Sequence, residues 1–239
     1  SRHCEKTGAL RVVVLSNEPR PEADPDIPWA LSRLREEGLV EDFKVYSTPA
    51  QVSDLGIRGA AAELAEIVHA FCPDVLAFFH SGSCLLDDAG LDGLRRAWPA
   101  AVWMYHEGDT FRRWAAPYPR RALPTLRRCQ AAFPFAGGYI VDLVRRAGCA
   151  LVSYAPSWVN PERFPHAWRS SGPFAYDVVF IGNNVYSRVR RFPGARARSE
   201  LVERLQRRYG RSFALFGRGW SGPNAMGPCS FDDVSDIYT

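Results

Sequence analysis

Apolar and polar positions along the chain alternate between two kinds of segment. Leu10 to Ser16 (LRVVVLS) is a β-branched run that ends at Asn17-Glu18-Pro19, and it reads as a buried strand entering a loop. Pro28 to Glu37 then spaces Trp29, Leu31 and Leu34 among charges, and Gly38 supplies a stop, which predicts a helix. Phe43 to Tyr46 gives a second short strand. Ala60 to Phe71 has Leu64, Ile67, Val68 and Phe71 at helical spacing, and Pro73 terminates it. Asp74 to His80 (DVLAFFH) is a continuous apolar run of the kind parallel strands show when both faces are covered. The alternation continues with a helix around Leu91, Leu94 and Trp98, a strand at Ala101 to Tyr105, and a helix at Pro119 to Cys129. A strand at Ala131 to Phe135, a helix at Tyr139 to Arg146 closed by Gly148, and a strand at Ala150 to Tyr154 follow. Parallel strands need crossover helices, so this order predicts a doubly wound α/β sheet.

Residues 156–176 contain Pro156, Pro161, Pro165 and Pro173 and show neither period. They set a linker at 161–176 between a first domain, 1–160, and a second, 177–239. The second opens on a strand beginning at Tyr176 (YDVVFIG), followed by a Gly/Asn turn, a helix from Ser199 to Tyr209 and a strand from Ser212 to Phe216. Ser230 and Asp233 then have capping-box spacing, with Phe231, Val234 and Ile237 on a helical stripe. Two strands and two helices are too few to bury a doubly wound sheet on both faces, so this domain is expected to be only partly present.

Composition narrows the class without naming it. At 46% hydrophobic and 23% charged, with 19 glycines and 18 prolines, the 239 residues exclude collagen-like, low-complexity and wholly disordered chains. The longest clean apolar run, Val75 to Phe79, is far short of the ~20 residues needed for a membrane span. Six cysteines are scattered without a C-x-x-C pair or zinc-ligand spacing, which fits free thiols in a reducing, cytoplasmic setting. The polar start, Ser-Arg-His-Cys-Glu-Lys-Thr, has no apolar signal-peptide core and reads as a trimmed beginning. The net charge of +4 is local: residues 177–239 hold 10 arginines against 6 acidic side chains, while the rest of the chain balances at 20 each. Such a stretch suits a phosphorylated ligand or a solvated helix face, and it carries no nucleic-acid-binding signature.

The segment Ala155-Pro156-Ser157-Trp158-Val159-Asn160-Pro161-Glu162-Arg163-Phe164, followed by Tyr176-Asp177-Val178-Val179-Phe180-Ile181-Gly182, resembles the crossing between the two Rossmann domains of GT-B glycosyltransferases. The group-1-like family that includes spore-maturation-type proteins is the best match. Arg198-Ser199-Glu200-Leu201-Val202 resembles that family's arginine-led helix, and Gly217-Arg218-Gly219-Trp220 its G-x-G-W turn. Asp232 to Tyr238 resembles the helix that follows. The resemblance spans about 150–239 and is only architectural before that. It implies an α/β, GT-B-like chain of two Rossmann-type doubly wound parallel sheets, the second only partly present. It also implies transfer of a sugar from a nucleotide-diphosphate donor to a small-molecule or glycan acceptor in an interdomain cleft, with no cofactor, no metal and no nucleic acid. The family's ribose-binding acidic residue falls beyond Thr239. A non-catalytic nucleotide- or sugar-binding or partner module with the same GT-B-like shell is the alternative.

Within that frame, Gly182, Asn183 and Asn184 at a strand end are placed to offer backbone N–H groups to phosphate. Arg188, Arg190, Arg191, Arg196 and Arg198 fall on the same loop, and Arg198, then Arg188, best fits the family's arginine. Gly217, Arg218, Gly219 and Trp220 follow the next strand, where open α/β sheets bind ligands. On the first domain His106, Glu107 and Asp109 form the richest acid/base cluster, with His80 as runner-up. Glu107-Gly108-Asp109 mimics a D-x-D metal motif, which the GT-B resemblance sets aside. Ser81-Gly82-Ser83 fails the nucleophile-elbow pattern because residue 79 is Phe. No G-x-G-x-x-G follows the first strand.

Overall fold

The first strand, β1 (Leu10–Ser16), is buried from Val12 onward, and its side chains divide by the strand period between two cores. Val13 and Leu15 join one face, while Val12 and Val14 join the other. The computed structural model describes residues 8–18, 26–109, 111, 117–156, 160–162, 175–184, 194–230 and 233–238. The chain divides into two compact units, each with its own parallel sheet.

In the first unit, α1 (Asp26–Glu36), β2 (Val40–Ser47), α2 (Thr48–Phe71), β3 (Val75–Phe79), α3 (Asp88–Ala97) and β4 (Val102–Glu107) follow β1. α4 (Leu123–Leu126), β5 (Ala131–Pro134), α5 (Tyr139–Ala147) and β6 (Leu151–Val152) complete it. All pairings in its six-stranded sheet are parallel, in the order β2-β1-β3-β4-β5-β6. α1 packs Ile27 and Leu31 on the Val12/Val14 face. α2 to α5 cover the opposite face with Leu64, Val68, Leu91, Leu94, Leu126, Ile140 and Val144. Helices on both faces make the sheet doubly wound, as the alternation predicts. The connection from β1 steps outward to β2 and the next crosses back to β3, so the winding reverses between β1 and β3. Ligands of such sheets bind at the carboxyl ends flanking that switch point.

The second unit holds β7 (Val178–Ile181), α6 (Ala195–Tyr209), β8 (Phe213–Phe216), β9 (Ala225–Gly227) and α7 (Asp233–Tyr238). Its three strands are parallel, in the order β7-β8-β9. Val202 of α6 packs on Phe213 and Leu215, with Val178, Phe180, Leu205, Tyr209 and Trp220 around them. The expected capping box is present: Asp233 N–H donates to Ser230 Oγ at 3.1 Å, and Ser230 N–H donates to Asp233 Oδ2 at 2.8 Å.

Several local expectations change. The helix expected over 119–129 is a 3-10 turn, Arg120–Ala122, followed by the single turn of α4. Pro124 has no N–H to give to residue 120, so a helix can begin only where Pro124 occupies its first turn. α2 starts at Thr48 rather than Ala60, because Ser47 caps it and the chain continues through a break at Gly56 (φ 71°). α6 begins at Ala195, which puts Arg196 and Arg198 in a helical first turn and not in a loop. β9 was unexpected. It lies in a Gly/Pro-rich run without period, and is recruited by Leu215 N–H to Asn224 O (2.9 Å) and Gly217 N–H to Gly227 O (2.7 Å). The buried Asn224 amide anchors it by donating to the carbonyls of Gly210 (2.6 Å) and Phe213 (2.7 Å). Most of the expected linker, and Arg188, Arg190 and Arg191, lie outside the described residues. Among the described residues no helix is long and apolar enough to cross a membrane.

Candidate functional site

The carboxyl edge of the first sheet gathers Asn17 after β1, His80 after β3 and Glu107 at the end of β4. His106 and Glu107 are neighbours in sequence but point to opposite faces, because side chains alternate along a strand. Glu107 shares its face with Tyr105 and is completely buried. His106 turns to the other face and packs on Phe79, with ring centroids 5.1 Å apart. Glu107 therefore meets His80, the runner-up of the sequence reading: Nδ1 of His80 lies 3.3 Å from Glu107 Oε1. The His80 side chain is 31% exposed against 0% for Glu107, so a buried carboxylate supports a reachable imidazole.

His80 sits at φ 60°, ψ 159°, a region that essentially only glycine occupies. The surroundings hold it there. Its N–H donates to His106 O at 2.8 Å, and its carbonyl accepts from Ser83 N–H (3.1 Å) and Ser83 Oγ (2.9 Å). The 3-10 turn Ser81–Ser83 nests against β1, since a Cβ on Gly82 would stand 2.8 Å from Asn17 Cβ. Gly108 gives the ring its space, because a Cβ there would lie 2.3 Å from His80 Cε1. Backbone strain of this kind costs about 1–3 kcal/mol and collects where geometry serves function.

Glu107 is supplied with donors at both oxygens. Asp109 N–H reaches Oε1 at 3.1 Å, and the Tyr105 hydroxyl donates to Oε2. Gly108 N–H approaches His80 Nδ1 at 3.3 Å and would favour a proton on Nε2. The carboxylate competes for the opposite tautomer with a charge-assisted bond of roughly twice the strength. A proton held on Nδ1 by the carboxylate would leave Nε2 as the basic nitrogen. His80, Glu107 and Asp109 also bring one ligand atom each within 4.8 Å of one another, so the same set could hold a divalent cation.

His106 is different in kind. Burial, and secondarily the charge of His80, lower its pKa from 6.5 to about 4, against the opposing pull of Glu107. Between those values the unfolded chain binds a proton that the folded chain refuses. Stability is therefore fully present above pH 6.5 and lost as the pH falls toward 4. Allowing for water at the sheet edge, the contribution is about 2 kcal/mol. Urea midpoints taken from pH 7 to pH 4 should fall more steeply for the wild type than for His106→Leu. Parallel curves would refute a neutral buried His106.

At the carboxyl edge of the second sheet, the two predicted turns lock onto each other. Gly182 N–H donates to Phe216 O (2.9 Å), Asn184 N–H to Arg218 O (2.7 Å), and Arg218 N–H to Asn183 Oδ1 (2.8 Å). The Asn184 amide donates to Gly219 O at 3.2 Å, and Trp220 Nε1–H donates to Gly182 O at 2.5 Å. The Trp220 ring stands edge-on to Phe180, centroids 6.1 Å apart. Gly182 and Asn184 thus spend on the turn the N–H groups that the sequence reading offered to phosphate. Trp220 is half-buried as a latch. Arg198, in the first turn of α6, donates to Asn183 O at 2.9 Å, and Arg196 pairs with Glu200 at 2.7 Å. Gly194 opens α6 in a left-handed conformation without a side-chain cap, so the positive end of this 15-residue helix adjoins the same turns.

Sequence reasoning missed Tyr105 and Tyr118. Alternation along β4 puts Tyr105 on the face of Glu107, a signal present in the sequence, whereas nothing in the sequence ties Tyr118 to either.

No family model and no curated protein matches the chain. Among solved structures it is similar to a crystal structure of UDP-N-acetylglucosamine 2-epimerase, with 10% identity and a TM-score of 0.49 over 96% of this chain and 72% of that one. It is likewise similar to a putative UDP-N-acetylglucosamine 2-epimerase from Listeria monocytogenes, with 10% identity and a TM-score of 0.47 over the same shares. At these scores the likeness carries no argument about chemistry.

Proposed function

We propose that the protein is a GT-B-type glycosyltransferase that moves a sugar from a nucleotide-diphosphate donor to an acceptor hydroxyl, with His80 as the general base. The observation that carries this reading is the His80–Glu107 pair: a reachable imidazole, strained into place at the switch point and backed by a buried carboxylate. The acceptor occupies the carboxyl edge of the first sheet. Its hydroxyl proton passes to His80 Nε2 as the oxygen attacks the anomeric carbon. The bond from that carbon to the diphosphate oxygen breaks, and its electron pair leaves with the diphosphate. Glu107 stabilises the imidazolium that forms, much as a buried carboxylate does behind a catalytic histidine elsewhere. Asp109 stays at the rim with its N–H on Glu107. His106, held neutral, walls the ring at a centroid distance of 5.7 Å.

We place the nucleotide diphosphate on the second unit beside the turns of Gly182, Asn183, Asn184, Gly217, Arg218, Gly219 and Trp220, held by charge rather than by the N–H groups those turns already use. Arg198 and the N-terminus of α6 supply positive charge there. Arg188 belongs to the same proposal from its sequence position alone.

Thermal melts with UDP, GDP, ADP and dTDP at millimolar concentration, together with release of the nucleoside diphosphate from the matching sugar donors, test the reading. One of these nucleotides should raise the melting temperature, with about 2.7 kcal/mol expected at a hundredfold excess over Kd. Arg198→Ala should remove most of that gain. Binding without release of nucleoside diphosphate to any acceptor would favour a binding module without turnover, and no shift with any nucleotide would overturn the transferase reading.

A further inference from the structure

The Tyr105 hydroxyl donates to Glu107 Oε2, and the Tyr118 hydroxyl donates to Tyr105 at 2.8 Å. Both phenols are buried, and Phe111 packs edge-on against Tyr118 at 5.1 Å. Burial raises both phenol pKa values well above 10, so each hydroxyl remains a donor across the neutral range. A carboxylate's terminal torsion is broad and roughly two-fold, so the Glu107 side chain does not by itself fix where its oxygens point. At Oε1 the contacts are long, 3.3 Å to His80 Nδ1 and 3.1 Å to Asp109 N–H, and Gly108 N–H competes for the same Nδ1 at 3.3 Å. On the opposite side, Oε2 accepts from the fully buried Tyr105 hydroxyl, which is itself held by Tyr118.

We propose that Tyr105, itself fixed by Tyr118, is a positioning residue: it sets the plane of the Glu107 carboxylate so that Oε1 draws the His80 proton to Nδ1 and leaves Nε2 as the base. The inference rests on the reading of His80 as the base, but its test needs no substrate. Without the Tyr105 hydroxyl the carboxylate can turn, the long Oε1 contact weakens, and Gly108 N–H pulls His80 toward the Nε2–H tautomer.

Ring-nitrogen NMR of the full chain, labelled at histidine and recorded at neutral pH without nucleotide, reads the tautomer directly. Wild type should be mainly Nδ1–H at His80. Tyr105→Phe should lower the Nδ1–H to Nε2–H ratio by about tenfold or more, the scale of one hydrogen bond to a charged group. Tyr118→Phe should shift it in the same direction by about twofold, since it removes only a bond to the positioning hydroxyl. A purely structural role would lower the melting temperature and leave the ratio unchanged. A folded Tyr105→Phe with the wild-type ratio overturns the proposal. If that variant does not fold, Tyr118→Phe decides in its place by the same criterion. A shifted ratio in a protein that transfers no sugar would retain the positioning role and remove the transferase reading alone.

Discussion

On the proposed transferase reading, His80→Ala should reduce sugar transfer by about 10²–10⁴-fold, the usual contribution of a positioned general base, and leave the nucleotide-induced rise in melting temperature unchanged. The same position offers a sharper test through stability. Alanine and glycine both remove the imidazole and its bond to Glu107, so the difference between the two variants reports the backbone. At φ 60°, ψ 159° an L side chain is strained and glycine is not. His80→Gly is therefore expected to be more stable than His80→Ala by about 1–3 kcal/mol, the reverse of the order found in a helix. Chemical denaturation of the two variants measures this. Equal stabilities, or a more stable alanine variant, would mean that the strained geometry is absent in solution. The strain would then no longer mark His80 as the functional residue.

Gly217→Ala is expected to have the largest effect on the second unit. Gly217 lies at φ 132°, and a Cβ there would stand 2.2 Å from the carbonyl oxygen of Gly182 and 2.6 Å from its carbon. The obstacle is backbone, which cannot swing aside as a side-chain tip could. Relieving it means separating the β7 and β8 turns, with loss of the Gly182–Phe216, Asn184–Arg218 and Trp220–Gly182 bonds. Those losses together should cost more than about 3 kcal/mol. A thermal melt followed by tryptophan fluorescence should show Trp220 released early, and any nucleotide-induced gain of the kind proposed should vanish with it. Gly93→Ala is the control: it lies within α3 with nothing near its Cβ, and it should gain up to about 1 kcal/mol from helix propensity. If Gly217→Ala melts like that control, the turns are not interlocked as described.

The buried cysteines set a smaller expectation of the sequence in physical terms. Cys84, Cys129 and Cys149 are enclosed around α4, and burial pushes Cys84 up to about 12 and Cys149 up to about 11. Thiols so held are poor nucleophiles at neutral pH and act as small apolar fillers. Their scattered spacing in the sequence pointed the same way.

What the sequence determined by itself is the alternation. Runs such as Leu10 to Ser16 and Asp74 to His80 are apolar on both faces, and Leu64, Ile67, Val68 and Phe71 recur at helical spacing. These are local properties of the chain, and they sufficed for two parallel α/β sheets and for the edge on which candidate residues lie. β9 escaped because its three residues have no period of their own, and the ladder with β8 recruits them. The site was legible as a list of residues and not as a set of partners. Adjacency in sequence grouped His106 with Glu107, but a strand sends neighbours to opposite faces, so Glu107 instead meets His80 across the sheet edge. Likewise Gly182 to Asn184 and Gly217 to Trp220 each looked open to a ligand, until the tertiary structure spent their hydrogen bonds on one another. Partnership at long sequence separation is decided by strand order and register, which bring the ends of β3 and β4, and of β7 and β8, side by side.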